Sequence, residues 1–305
     1  MKKIINLLAD AICRAMAWVW SKCGHSFGDE TYLKVRYFLL MRKKLNLDNP
    51  RIYSEKLQWL KLYNRKPEYT TIVDKYSVKD YVANIIGGEY IIPTLGVWDS
   101  PKDIVFSVLP DQFVLKTTHG GGGLGVVICK DKRNFDKEAA IRTLEKNMKT
   151  DWKIQMEWPY KDVPHRIIAE KYIEPDLVTK DLPDYKFSCF DGEVTDVMVC
   201  IGRSTGNTMF YFFNKEWELL PLNKLGKQAP KGFTLPKPPC MDEMFDMASK
   251  LSKGFPYARV DLYAVGNKPY FGEITFYPQS GFDRNLLPET ESFYGEKINL
   301  PQKNK

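Results

Sequence analysis

The sequence predicts an α+β fold, on three observations. Clear amphipathic helices alternate with short strand-like runs: NFDKEAAIRTLEKNMK (134–149) and MDEMFDMASKLSKG (241–254) have helical spacing. The strand-like runs come in adjacent pairs joined by turn residues, which is the mark of antiparallel hairpins. The chain has 305 residues, 44% hydrophobic and 27% charged. Those proportions exclude disorder, and a chain of this length buries a core without disulfides.

The elements follow in order. Residues 53–66 place Leu57, Leu60 and Leu62 at helical spacing, with Ser54 expected as N-cap and Pro67 as terminator. Residues 74–86 are expected as one helix closed by Gly87-Gly88. Strands are expected at 90–98, 113–118 and 125–130, then the helix at 134–149, then strands at 166–173, 185–190 and 193–202 with Asp191-Gly192 as a tight turn. A further strand at 208–214, the helix at 241–254 and a last hairpin of 258–265 with 268–276 complete the series. There is no internal repeat.

Charge is unevenly placed. Residues 1–80 hold 16 Lys/Arg against 8 Asp/Glu, a net +8, while the remaining 29 against 30 give −1. Residues 4–20 (IINLLADAICRAMAWVW) carry Asn6, Asp10 and Arg14 on one helical face and Ile4, Ile5, Leu8, Ile12, Ala15, Met16 and Val19 on the other. The polar stripe argues against a secretory signal, and the run is too short and polar to span a bilayer. Two readings stand. One is an interfacial amphipathic helix with Trp18 and Trp20 at headgroup level and Lys2, Lys3, Arg14 and Lys22 near anionic lipid. The other is a helix packed on the protein's own core. The basic stretch LKVRYFLLMRKKLNL (33–47) favours the membrane. No nucleic-acid motif is present, so the basic excess is not assigned to nucleic acid. Six cysteines without a C-x-x-C pair and only three histidines, 25, 119 and 165, suggest neither a zinc ribbon nor a multi-histidine metal centre.

Two features carry chemistry. THGGGGLG (118–125) links two strands and matches no named phosphate motif, yet its adjacent glycines expose backbone N–H groups to an anion, and Lys116 precedes it on the same strand. It is either a phosphate-binding loop or a plain surface hairpin. In the last hairpin, Arg259, Asp261 and Tyr263 share a face, and Glu273 and Thr275 share a face of the partner strand. A three-residue turn at 266–268 sets Asp261 opposite Glu273. Paired carboxylates suit Mg²⁺ or Mn²⁺ with phosphate oxygens and water, and Arg259 beside them suits a transferred phosphoryl group. The alternative is a solvent-facing hairpin with locally paired charges.

The order of these pieces resembles the ATP-grasp superfamily, and more closely the TupA-like ATP-grasp family of teichuronopeptide and capsular polysaccharide loci. The blocks are EKLQWLKLY (55–63), DKYSVKDYV (74–82), YIIPTLGVWD (90–99), FVLKTTHGGG (113–122), DYKFSCFDG (184–192) and FGEITFYPQSG (271–281). The resemblance implies two α+β lobes clamping ATP behind an N-terminal helical extension: residues 1–24, 25–110, a small lobe 111–173 and a large lobe 174–305. It implies that Lys75, Lys79, Lys116 and Lys186 hold phosphates, that Gly120, Gly121, Gly122 and Gly123 form a flap, and that Glu170, Lys171, Tyr172 and Ile173 form the adenine-reading hinge. Asp176 or Glu174 would hold the ribose. Asp261 and Glu273 would bind the metal, with Arg259 and Lys186 catalytic. Thr275 stands where the superfamily usually has Asn; its hydroxyl is a weaker magnesium ligand, so either a second metal is held more loosely or Gln279 assists. The implied activity is an ATP- and Mg²⁺-dependent carboxylate–amine ligase of cell-surface polysaccharide synthesis, joining an amino acid to a uronic acid at the cytoplasmic membrane face, on a lipid-linked or free precursor. A glycan kinase on the same fold, or a glycosyltransferase-like protein, is the alternative. His119 is either a substrate contact or a loop histidine.

Overall fold

A computed structural model describes residues 11–13, 15, 16, 19, 28–121, 123, 125–150, 155–174, 182–203 and 206–303. Lys2, Lys3, Asn6, Asp10, Arg14, Trp18, Trp20, Lys22, Gly122 and Asp176 lie outside them, as do Ile4, Ile5 and Leu8.

Two antiparallel sheets organise the chain. The smaller contains β1 (Thr94–Trp98), β2 (Phe113–Thr117), β3 (Val126–Cys129) and β4 (Ile167–Lys171) in the order β1-β4-β2-β3. Alternation gives it two unlike faces. Phe113, Leu115, Cys129, Ile167 and Ala169 pack with Leu144 of α5 (Lys137–Met148). The larger of these side chains, Phe113, Leu115, Ile167 and Leu144, contribute about 1.5–3 kcal/mol each on full burial. The opposite face carries Val114, Lys116, Val126, Ile128, Ile168 and Glu170, which are neighbours by register.

The larger sheet contains β5 (Asp184–Phe190), β6 (Glu193–Ile201), β7 (Met209–Phe213), β8 (Leu219–Leu220), β9 (Ala258–Val265) and β10 (Lys268–Thr275), in the order β10-β9-β5-β6-β7-β8. Its apolar face, with Tyr185, Phe187, Val197, Val199, Val260, Leu262 and Ile274, joins Met244, Phe245, Ala248 and Leu251 of α7 (Met241–Leu251), which follows the short α6 (Lys224–Gln228), in the main core. Its polar face presents Asp184, Lys186 and Ser188 beside Arg259, Asp261 and Tyr263, then Glu273 and Thr275.

The N-terminal helices belong to this core. They are α1 (Asp29–Met41), α2 (Tyr53–Tyr63), α3 (Glu68–Val73) and α4 (Val78–Ile86). Tyr32, Leu33, Tyr37, Leu40, Leu45 and Leu47 are buried, so the basic stretch 33–47 turns its apolar side inward and leaves Arg42, Lys43 and Lys44 exposed. Cys13 is buried in the same core with Met16 against it, while Ile12 and Val19 are exposed.

Several local expectations are corrected. Ser54 is not a cap. Its hydroxyl lies 2.8 Å from Tyr37 Oη and donates to Glu291 at 2.5 Å, tying α2 to α8 (Pro288–Lys297). The segment 74–86 is not one helix, because Asp74 accepts hydrogen bonds from Tyr76 N (3.0 Å) and Ser77 Oγ (2.7 Å), and these compete with helix formation. Lys75 therefore sits in a turn, its N–H donating to Thr118 O at 3.1 Å. The strand expected at 90–98 is shortened to β1, which is the edge of the small sheet. The last hairpin turns on two residues, Gly266 and Asn267, and a bulge between Phe271 and Glu273 then restores the pairing of Glu273 with Asp261. Gly272 makes the bulge possible, since a Cβ there would lie 2.9 Å from Asp261 O.

Candidate active site

The Lys/Glu face of the small sheet and the polar face of the large sheet meet at one cluster of charges. On the small-sheet side, Glu170 is only 5% exposed and accepts from Lys79 at 2.5 Å and Lys116 at 2.6 Å. Lys79 also donates to Ile92 O and Thr94 Oγ1, each at 2.8 Å. Burial would raise the Glu170 carboxyl, but the Lys116 and Lys79 ammonium groups outweigh it and hold it below its ordinary value. Burial depresses Lys79 despite its carboxylate partner. Lys75, Lys79, Lys116 and Glu170 line a narrow cavity with Ile91, Ile92, Phe271 and Gly272.

Lys75 links the two sheets. Its ammonium donates to Gly120 O of the glycine loop at 2.5 Å and lies 3.1 Å from Glu273 Oε2. On the large sheet, Arg259 grips both oxygens of Asp261 (2.6 and 2.7 Å) and reaches Glu273 Oε1 at 3.4 Å and Thr275 Oγ1 at 3.3 Å. Lys186 bridges Asp184, at 2.6 Å, and Asp261. Burial acts to raise the Glu273 carboxyl, yet Lys75, Arg259 and Lys186 outweigh it and keep it ionised well below the usual range. Burial pushes Asp261 up against the pull of Arg259 and Lys186. The attraction of Asp261 overcomes desolvation and raises Lys186, and it raises Arg259 likewise.

Asp261, Glu273 and Thr275 are oxygen donors at adjacent positions of two paired strands. Among the described residues, no group of three or more His, Cys, Asp and Glu side chains is placed to hold a metal alone. Two carboxylates and a hydroxyl fit a hard divalent cation whose remaining ligands are phosphate oxygens and water, the usual state of protein-bound Mg²⁺.

The resemblance implies a hinge role for the Glu170 backbone, and its side chain is in addition the anionic partner of Lys79 and Lys116. Lys171 is exposed at the end of β4, its N–H bonded to Pro93 O at 3.0 Å. With Tyr172 it lines a separate cleft of about 590 Å³ that includes Asp111, Lys130, Asp131 and Arg133. Ile173 and Glu174 follow outside the strand. Gly120 is buried, whereas Gly121 and Gly123 are exposed. Gln279 is exposed, in a left-handed conformation (φ 49°).

Sequence reasoning missed three contributors. Asp184 opens the quoted DYK block, yet its role emerges only from the pairing of β5 with β9. Its Oδ2 accepts from Lys186 and from Arg203 (3.0 Å), and its buried Oδ1 is without a partner. Arg203 itself carried no sequence signal. Val114, Val126 and Ile128 form an apolar shelf beside Lys116, and the two-residue alternation of β2 pointed to Val114.

Two lobes that face each other across lysines, a glycine loop and paired carboxylates define an ATP-grasp fold. The profile of the family described as TupA-like ATPgrasp matches residues 55–299, and the chain belongs to that family. No curated protein matches it. Among solved structures it is similar to a D-alanine–D-alanine ligase from Bacillus anthracis complexed with ATP (17% identity, TM-score 0.43, 75% of this chain and 65% of that one). It is also similar to the D-alanine–D-alanine ligase of Helicobacter pylori (15%, 0.47, 82% and 69%) and to a RimK domain ATP-grasp protein from Sphaerobacter thermophilus (12%, 0.40, 77% and 70%). The chain thus spans just under two thirds of the Bacillus anthracis ligase.

Proposed function

We propose that this protein is an ATP-dependent carboxylate–amine ligase. The observation that carries the reading is the convergence of Lys75, Lys186 and Arg259 on the paired carboxylates Asp261 and Glu273, with Lys75 also lining one cavity with Lys79 and Lys116 and bridging the glycine loop and the carboxylate hairpin. Phosphoryl transfer is catalysed by positioning and charge neutralisation, and this cluster supplies both. Lys75, Lys79, Lys116 and the amides around Gly120, Gly121, Gly122 and Gly123 hold the phosphates. The apolar shelf of Val114, Val126 and Ile128 takes the base, and the backbone at Lys171 to Ile173 reads its edge. Asp176 or Glu174 takes the ribose.

Asp261 and Glu273, with Thr275, would hold Mg²⁺, or Mn²⁺ in its place. When bound, that ion neutralises charge on the phosphates. Lys186 and Arg259 face the transferred group and stabilise the acyl phosphate, whose carbonyl the amine then attacks with release of phosphate.

The acceptor is read as a uronic acid of a cell-surface glycan precursor and the amine as an amino acid, following the family's association with polysaccharide loci. Residues 1–24 would hold the enzyme on an anionic membrane surface at the cytoplasmic face. Among the described residues no helix is long and apolar enough to cross a membrane. Incubation with ATP, Mg²⁺ and a panel of uronic acids and amino acids, read by ADP release and product mass, tests the chemistry. ADP release that needs both acid and amine supports the ligase, and release with sugar alone makes it a kinase. If a chain lacking residues 1–24 partitions with anionic vesicles as the full chain does, the membrane role of that segment is wrong.

A further inference from the structure

His119 and His165 lie outside the charge cluster, yet they are built into the root of the glycine loop. Their rings stack face to face with centroids 3.7 Å apart and planes within 8°. Each ring meets a carbonyl at the end of α5: His119 Nε2 lies 3.3 Å from Asn147 O, and His165 Nδ1 lies 2.9 Å from Met148 O. The other end of the loop rests on the same residue. A Cβ added to Gly125 (φ +74°) would come within 2.9 Å of Asn147 Cβ and 2.8 Å of Thr117 Oγ1. Thr117 N–H closes the loop onto Gly125 O at 3.2 Å. The last turn of α5 therefore touches both ends of the loop. One residue beyond His119, Gly120 O receives the Lys75 ammonium that reaches Glu273.

The surroundings of His119 fix its charge. The ring is 6% exposed. With a carbonyl against Nε2, that nitrogen carries the proton, and Nδ1 is a buried acceptor without a partner. A second proton would put an unpaired N–H and a positive charge there. From the β4 side it would face His165. From the turn before α4 it would face Lys75, and also Asp74, which is engaged by Arg166 at 2.6 Å. From the end of α5 it meets the carbonyl oxygen of Asn147.

We propose that the stacked His119–His165 pair is the anchor of the glycine loop, a positioning element that holds Gly120 and through it Lys75 in place for nucleotide phosphates, and that it anchors the loop only while His119 is neutral. This rests on the reading of Lys75 and the loop as phosphate-binding elements. Burial, reinforced by His165, pushes the anchored His119 ring down to about 4. A ring released to solvent titrates near 6.5, so acidification to pH 5 favours the released root by roughly 30-fold over its weight at neutral pH.

Two measurements decide it. Only three histidines are present in the chain, so their ring protons can be assigned by NMR with single substitutions and titrated without any ligand. His119 should titrate well below the ordinary histidine range, and an ordinary value overturns the anchor. In parallel, the affinity for ADP with Mg²⁺ is measured from pH 7.5 to 5. The wild type should lose up to about 30-fold, beyond the loss in His119→Phe, which keeps an aromatic ring in the stack but cannot be protonated. Equal acid loss in the two proteins refutes the role of His119. Failure of wild type to bind ADP at pH 7.5 refutes the phosphate role alone, because the NMR titration judges the anchor independently.

Discussion

Replacing Glu170 by Gln tests the charge balance of the small sheet. The carboxylate is buried, and its two partners are themselves largely covered, with side-chain exposures of 12% for Lys79 and 18% for Lys116. Gln keeps the volume and removes the charge. Two ammonium groups are then left beside each other in a poorly solvated site, and losing one partner of a buried ion pair costs about 3–5 kcal/mol. That corresponds to a fall in melting temperature on the order of 10 °C. Urea denaturation measures it in the wild type, Glu170→Gln, Lys79→Met and the double variant. The double variant should be more stable than the sum of the single effects, with a coupling of roughly 1–3 kcal/mol. ADP with Mg²⁺ should stabilise Glu170→Gln more than wild type, because phosphate oxygens replace the missing carboxylate. A Glu170→Gln protein within about 1 kcal/mol of wild type, with no coupling to Lys79, would refute the reasoning, since exposed pairs are worth no more than that.

Glu273→Ala should reduce ADP release by at least about 100-fold, as expected for loss of preorganised charge at a reacting centre, and unchanged turnover would remove Glu273 from the metal site. Gly272→Ala should cost roughly 1–3 kcal/mol in urea denaturation, because the new Cβ meets Asp261 O at 2.9 Å and the bulge must shift. Asp196 is fully buried, held by Ser188 Oγ, Thr195 Oγ1 and Tyr294 Oη at 2.9, 2.7 and 2.8 Å, and burial pushes its carboxyl up to about 6. A raised acid contributes stability below its unfolded value that is lost as pH rises through its folded value. Relative to Asp196→Asn, wild type should therefore lose about 2 kcal/mol between pH 4 and 6.5, and parallel pH profiles would show the assignment to be wrong.

The strands carrying the site were legible because alternation separates their faces. Lys116, Arg259, Asp261 and Glu273 announce themselves as polar residues on otherwise apolar runs. What spacing could not show was which faces meet. Glu170 reads as part of an apolar strand, and only the pairing of β4 with β2 sets its side chain beside Lys116. Asp184 depends in the same way on β5 lying against β9. The hairpin register came out as expected by a different route, because a shorter turn and a bulge at Gly272 together match one longer turn. α8 escaped notice because its inward side rests on Thr290, Glu291, Tyr294 and Gly295 rather than on an aliphatic stripe. Ser54 and Asp74 misled for one reason: short polar side chains serve equally as caps, tertiary partners and helix breakers.

The charges of the cluster nearly satisfy one another, and the remainder is informative. Lys75, Lys79, Lys116, Lys186, Arg203 and Arg259 are six cations, and Glu170, Asp184, Asp261 and Glu273 are four carboxylates tied to them. Among the described residues this cluster therefore carries an excess of +2 in a partly buried cleft. A nucleoside triphosphate with its magnesium brings a charge of about −2. Binding would then be an exchange of partners: the lysines would turn from carboxylates to phosphates, and Asp261 and Glu273 would be left free to hold a cation. Such an exchange leaves no buried charge unpaired at either stage, the condition under which buried ions are tolerated. It also explains why neither half of the site is expected to bind well alone. Without the cation, the phosphates would face Asp261 and Glu273 directly, and without the phosphates the cation would compete with Lys75, Lys186 and Arg259 for two carboxylates. Nucleotide and metal affinity should each rise in the presence of the other, and equal ADP affinity with and without Mg²⁺ would contradict this account.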